Sequence, residues 1–481
     1  MANKHLIGRQ VFQVEINSSQ KAYAVQQQLS EMVWKNLVPE LNKLFDSICG
    51  EDELMRFDTI ELDIGEIDLN EKSTADFVEK IISLLKEKCT RKHLSFKLKD
   101  IPGHSKKDNS QKSLGAYYFD LWLYWLEKGT LPSYAIQPEE DWLEKVLETL
   151  ALDFDATVLL GKTLEKYDFA MDRLILQHSI KDLKSIVELY TGYSQTGLLE
   201  FFKELQFLFK KVSVQTEISY RKLEIKLWKA VFRTVILKRR KSDSKTIAKL
   251  IINDIPGTLI NKISESNLLK TSDYPFLREV FNNKVEINTF KEVENLVDTG
   301  DESTPETGLK DKEIVSPQFF KNAGIILVHP FLNHLFKKLD LLEDMAFKNF
   351  ECQNKAVLLL EYIATGNEHI PEYEMVLPKF LCEMPANIPL DHTLLLTEEE
   401  KEEANGLLQA VIEHWGALGT TSIDGVREGF LMREGKLEKE QTGWKLYVEH
   451  KTIDVLLDRL PWNLSIVKLP WMKEMLKVEW R

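Results

Sequence analysis

Two hydrophobic periods alternate through the first hundred residues. Phe12, Val14 and Ile16 alternate with Gln13 and Glu15, the two-residue repeat of a half-buried strand. Then the repeat lengthens. Val25, Leu29, Met32, Val33, Leu37, Leu41, Leu44, Phe45 and Ile48 recur at three- and four-residue steps and make one apolar helix face, with Pro39 inside it as a kink point. In RFDTIELDIGEIDL the short period returns: Ile60, Leu62 and Ile64 face one way, and Thr59, Glu61 and Asp63 the other. After Gly65 the phase flips to Ile67 and Leu69, which predicts a bulge or bend. Ser73 and Asp76 mark the opening of a second helix through Leu85. Residues 1–99 thus read as an α+β module in the order strand, helix, strand, helix. Residues 100–113, polar and rich in turn formers, read as a linker.

From 114 to 297 the pattern is helical. In FDLWLYWLEKGTLP and the tyrosines before it, Tyr118, Leu121, Trp122, Trp125 and Leu126 fall on one face, and Gly129 with Pro132 ends the helix. A packed core is the simpler meaning of that face; an exposed partner-binding surface is the other. Between Lys210 and Lys249 basic residues crowd, with only Glu217, Glu224 and Asp243 opposing them. That is a solvated face, or a docking stripe for an acidic protein. Residues 298–316, DTGDESTPETGLKDKEIVS, are acidic and almost free of large apolar side chains, the composition of a flexible tether. There is no fixed-period repeat and no long heptad run.

The C-terminal module, 317–481, restarts at Ser316-Pro317, read as an N-cap followed by a first-turn proline. Ile325 to Leu342 is strongly apolar, KAVLLLEYIATG ends on Gly366, and Thr397 with Glu400 forms a capping box. Gly435 to Glu449 reads as a hairpin, and Trp462, Leu464 and Ile466 as a further alternating strand. The fold class expected is a mainly α multi-domain protein with small α+β modules at both ends.

Composition narrows the function. A net charge of −13 argues against a general nucleic-acid binder. No stretch reaches the roughly 18–20 apolar residues of a membrane span, and the N-terminus lacks the apolar core of a secretory signal. Cys49, Cys89, Cys352 and Cys382 form no close pair, as expected of reduced thiols in a protein made in the cytosol. His329 and His334 are mis-spaced for a helical metal site. Asp424, Arg427 and Glu428 cluster at a helix start, where capping and ion pairing account for them. Asp58, Glu61 and Asp63 fit a solvated face better than a glycosidase pair. Phosphate-binding, dinucleotide, nucleophile-elbow and zinc-protease motifs are all missing. The expectation is no catalytic, cofactor-binding or metal residue: not an enzyme.

Several blocks carry a resemblance: ILVHPFLNHLFKKLDLLED, KAVLLLEYIATG, LPKFLCEMPANIPL, SIDGVREGFLMREG and the closing stretch from Trp444 to Trp480, together with HLIGRQVFQVEI, RFDTIELDIGEI and FDLWLYWLEKGTLP. In order and spacing they resemble the contractile injection system tape measure family. That resemblance implies a structural role in a phage-tail-like particle, templating inner-tube and sheath length from the baseplate. Its implied partners are inner tube and baseplate proteins, its site of assembly the cytoplasm, and its final place the tube lumen. The residues it singles out, as fold determinants or partner contacts, are His329, Pro330, Phe331, Asp424, Gly425, Arg427, Arg433, Asp458, Arg459, Pro461, Trp462, Pro470 and Trp471. Two other readings stay open: a baseplate-assembly or tube-initiation factor, and a particle-borne cell-wall hydrolase.

Overall fold

The structure is a computed structural model. It describes residues 10–15, 22–48, 53–55, 59–65, 71–97, 111–132, 141–212, 219–238, 241–265, 273–282, 317–440 and 443–480, with a few single positions between them. The expected tether 298–316 and most of the expected linker 100–113 lie outside the described residues. The chain divides into two compact units. One comprises Met1–Leu121 and Tyr134–Leu152, the other Trp122–Ser133 and Asp153–Arg481.

In the first unit the long apolar face does form a helix, in three parts: Ala22–Met32, a wider turn at Val33–Leu37, and Val38–Ile48. Pro39 has no N–H to return to the preceding turn. The wide turn sits just before it, with the Val38 N–H reaching back to the Val33 carbonyl. Met32, Val33, Leu37 and Leu41 pack against Phe77, Val78 and Ile81 of a second helix. That helix runs Glu71–Lys97, so it continues past Leu85, and Ser73 lies in its first turn instead of capping it.

The strands expected at 12–16 and 60–64 do not form among the described residues: 11–15 and 59–65 belong to no regular element. The burial pattern survives, since Ile60, Leu62 and Ile64 are half-buried while Thr59, Glu61 and Asp63 are exposed. Phe12, Leu62 and Ile64 pack on the helix pair. An extended segment lying on helices satisfies a two-residue period as well as a strand does; a strand also needs a neighbour's N–H and C=O groups. The ladder forms instead between Glu53–Met55 and Gln111–Ser113, antiparallel.

In the second unit the helices are short because the sequence stops and restarts them. Asp153, Ser179, Ser219 and Asp243 each cap the helix that follows, at Phe154, Ile180, Tyr220 and Ser244. Gly192, at φ 73°, ends the Ile180–Thr191 helix in the left-handed conformation. Their apolar faces meet in aromatic pairs such as Phe202 stacked on Trp228, with ring centroids 4.6 Å apart. The half of the Leu114–Lys128 helix from Trp122 onward belongs here, and Trp122, Trp125 and Leu126 are buried, as core residues.

The C-terminal part of this unit begins with a strand, not a helix. Pro317 leads into Gln318–Phe320, which pairs antiparallel with the Gly435–Glu440 strand; Ser316 lies outside the described residues. The apolar run becomes a 3-10 segment, Ala323–Val328, buried throughout, followed by the His329–Lys338 helix. Helices Phe350–Thr365 and Glu398–His414 pack on it. Thr397 and Glu400 make the reciprocal capping box, and Gly366, at φ 75°, ends its helix. The hairpin pairs Gly435–Glu440 with Gly443–Val448. These strands join Gln318–Phe320, Leu476–Glu479 and Ile466–Val467 in a five-stranded sheet, with Gly443–Val448 and Leu476–Glu479 parallel. The expected strand through Trp462, Leu464 and Ile466 is reduced to Ile466–Val467, with its phase reversed: Ile466 is exposed and Val467 buried. The Asn463 side chain takes the Ser465 N–H at 2.7 Å, and that local turn resets the register. With eighteen α-helices and nine short strands among the described residues, the protein is mainly α.

Candidate functional site

The singled-out residues separate into anchors and surface. Trp462 donates its indole N–H to the Leu327 carbonyl at 2.9 Å and meets Phe331 edge-on at 5.3 Å, while Phe331 also touches His414. Trp471 donates to the Leu381 carbonyl at 2.8 Å and packs between Phe336 and Phe347. Pro461 and Pro470 are exposed beside them. His329 and Pro330 open the helix that carries Phe331, and His329 shares a hydrogen bond with the Ile326 carbonyl at 3.0 Å. Burial holds its imidazole below the usual range, so the ring is neutral there and Nδ1 donates.

Arg427 joins three elements. It donates to the Ile363 carbonyl at 3.2 Å, to Asn405 at 2.9 Å and to Asp424 at 3.0 Å. Gly425 supplies the backbone N–H taken by the Ser422 cap. Arg433 is fully buried, donates to Gly429 and Glu449 carbonyls, and pairs with Asp454 at 2.8 Å. Asp458 and Arg459 end the following 3-10 turn on the exposed surface.

A second group was not anticipated from sequence. Arg173, Glu372 and Lys379 are almost wholly buried and bonded together. Arg173 Nε donates to Glu372 at 2.9 Å, and its Nη groups reach the Leu126 and Ala386 carbonyls. Lys379 pairs with the same carboxylate and donates to the Ile388 carbonyl at 2.7 Å. Two cations thus share one anion out of water. Desolvation, with Arg173 adding to it, pulls the Lys379 ammonium down to about 8 even though Glu372 opposes the shift. The group binds the FDLWLYWLEKGTLP block to LPKFLCEMPANIPL, two stretches far apart in the chain. A Cβ on Gly129 would overlap the Ala386 carbonyl, so this close approach requires glycine.

The same join continues outward. Gln177 donates to the Leu390 carbonyl at 2.7 Å, the His392 N–H to the Leu176 carbonyl at 3.2 Å, and Arg221 forks onto Asp391 with two bonds of 2.9 Å. Nearby in the core, His178 accepts from Trp122 at 2.9 Å. Burial lowers that histidine to about 4, so it stays neutral. Glu361 is buried with one oxygen taking the Asn322 amide at 2.6 Å and the other unpartnered. Desolvation and the neighbouring Glu374 raise it to about 8. The sequence does hold a signal for these groups. Lys379 in VLPKFL and Glu361 in LLLEYIA are each a lone charge inside an apolar run, and Arg173 follows Asp172 in the otherwise apolar AMDRLIL.

Among the described residues no three His, Cys, Asp or Glu side chains gather to hold a metal, and no helix is long and apolar enough to cross a membrane. The bonded polar groups join one backbone segment to another, and the motif residues hold segments together. A family model, contractile injection system tape measure protein, matches residues 4–480, and the chain belongs to that family, a structural one whose role implies association with tube and sheath components. No curated protein and no solved structure matches the chain.

Proposed function

We propose that this chain sets the length of the inner tube by templating, acting with inner tube and baseplate proteins and performing no catalysis. It assembles with them in the cytoplasm and ends in the tube lumen. The observation that carries this reading is the extent of the family match, which includes both terminal modules and the helical middle. The geometry is sufficient: residues 114–297 drawn out as one helix reach about 270 Å, and fully extended about 600 Å.

One observation favours the second reading, a baseplate-assembly or tube-initiation factor. The helices of the second unit are individually capped and packed into a compact body, which is how a docking subunit is built. Duplicating residues 298–316 separates the two, because it lengthens the chain without touching any described element. A template gives tubes longer by about 28 Å if the insert is helical and by up to about 65 Å if extended, in whole-ring steps and with a narrow distribution. Tubes of unchanged length, measured by electron microscopy, exclude templating and leave the assembly role.

A further inference from the structure

We infer that the join between the helices of residues 122–282 and the C-terminal module 317–481 is a polar latch, built to release the helices without opening the module's core. Among the described residues, the buried members of the module's apolar cluster run from Phe320 to Trp480 and include none from the helical segment; Tyr373 is buried outside that cluster. The hydrogen bonds and ion pairs across the join are polar groups meeting polar groups. Arg173 and Arg221 face Glu372 and Asp391, Gln177 and the Leu176 carbonyl face the backbone of residues 390–392, and Arg173 also reaches the Ala386 carbonyl. The edge-on contact of Trp125 with Tyr373, at 6.2 Å, adds an aromatic pair to them.

Such a seam differs physically from a core. Separating apolar faces exposes area that stays unfavourable in water. Separating ion pairs returns both partners to water, which solvates them well, so the net free energy of the join is small for the number of bonds it contains. While closed, the bonds fix one register, because a carboxylate shared by Arg173 and Lys379 tolerates no displacement. Losing one partner leaves buried charge uncompensated and opens the whole seam. The latch therefore combines a unique closed arrangement with a low cost of opening. This gives a chain of capped, packed helices a route to leave its module, and the inference stands whether or not the chain sets tube length.

The test uses the purified full chain carrying a protease recognition sequence between residues 305 and 306, cleaved after folding. The native halves should remain associated at 0.1 M salt. Glu372→Gln should weaken their association on the order of a hundredfold or more. Asp391→Asn, at the half-buried end of the seam, should weaken it about tenfold, because charge-assisted forks are worth that much there; it keeps the test decisive if Glu372→Gln folds poorly. Each separated half should keep a cooperative thermal transition. Two results overturn the latch: halves that bind equally tightly in the variants, or separated halves that lose cooperative unfolding and so share one core. No particle enters the measurement, so its failure is distinct from a failure of the length-setting reading.

Discussion

Glu361 shows how a single buried side chain sets a pH dependence. Its carboxyl is raised to about 8 by desolvation and by Glu374, with Asn322 opposing the shift and Lys321 beside Glu374. The folded state therefore keeps a proton that the unfolded chain releases near the ordinary carboxylate range. Stability from this group is complete below about pH 4.5 and is lost as the pH rises through about 8. Glu361→Gln removes that loss and still accepts from Asn322. The melting temperature of the variant minus that of the native protein should grow from pH 5 to pH 8; a constant difference would place the carboxyl in the ordinary range. Trp471 and Trp462 differ in the same concrete way. Trp471 is 9% exposed and wedged between two phenylalanines, while Trp462 is half-buried. Trp471→Ala should cost about 3–5 kcal/mol, and Trp462→Ala less, by denaturant unfolding. Equal losses would contradict the burial difference.

Cap signals placed several element ends correctly, though Ser73 lies inside its helix and Pro317 leads into a strand. Thr397 with Glu400, Ser179 with Asp182, and the glycines at 129, 192 and 366 all act at the positions their residue types predict. Gly129 does more than end a helix, because its missing side chain admits the Ala386 carbonyl. Gly129→Ala combines a left-handed φ of 77° with that collision. It should destabilise the protein by more than the roughly 1–2 kcal/mol of an ordinary left-handed glycine replacement, and weaken the cleaved halves' association. Gly192→Ala, which has the same backbone and open space, is the control. Equal effects at the two positions would show that the contact with Ala386 is unimportant. Strand signals served less well. Alternation at 59–65 identified the buried side of the segment but not a ladder, and alternation from Trp462 failed at the Asn463 turn.

At the scale of the molecule, motif blocks of the second unit meet one another. Arg173 ties the FDLWLYWLEKGTLP helix to Glu372, Trp471 reaches the Leu381 carbonyl within LPKFLCEMPANIPL, and Trp462 reaches Leu327 at the start of the module. Removing 317–481 takes away Glu372, Lys379 and Asp391 together and leaves Arg173 and Arg221 without these carboxylates. Particles should then fail to assemble, as counted by electron microscopy. Normal particles from that truncation would show the module to be dispensable.

The sequence by itself determined the class of fold, most helix faces and their caps, the aromatic core face at Tyr118–Leu126, and the family. Those features are local: a period, a cap residue or an ordered set of blocks is complete within a short stretch of chain. Only the tertiary structure decided which strands pair, since a ladder needs a partner that periodicity does not name. It also decided the use of the buried charges at 173, 361, 372 and 379. A charged residue in an apolar run announces that something must compensate it. For Arg173 the compensating carboxylate stands 199 positions along the chain, and no local pattern connects the two.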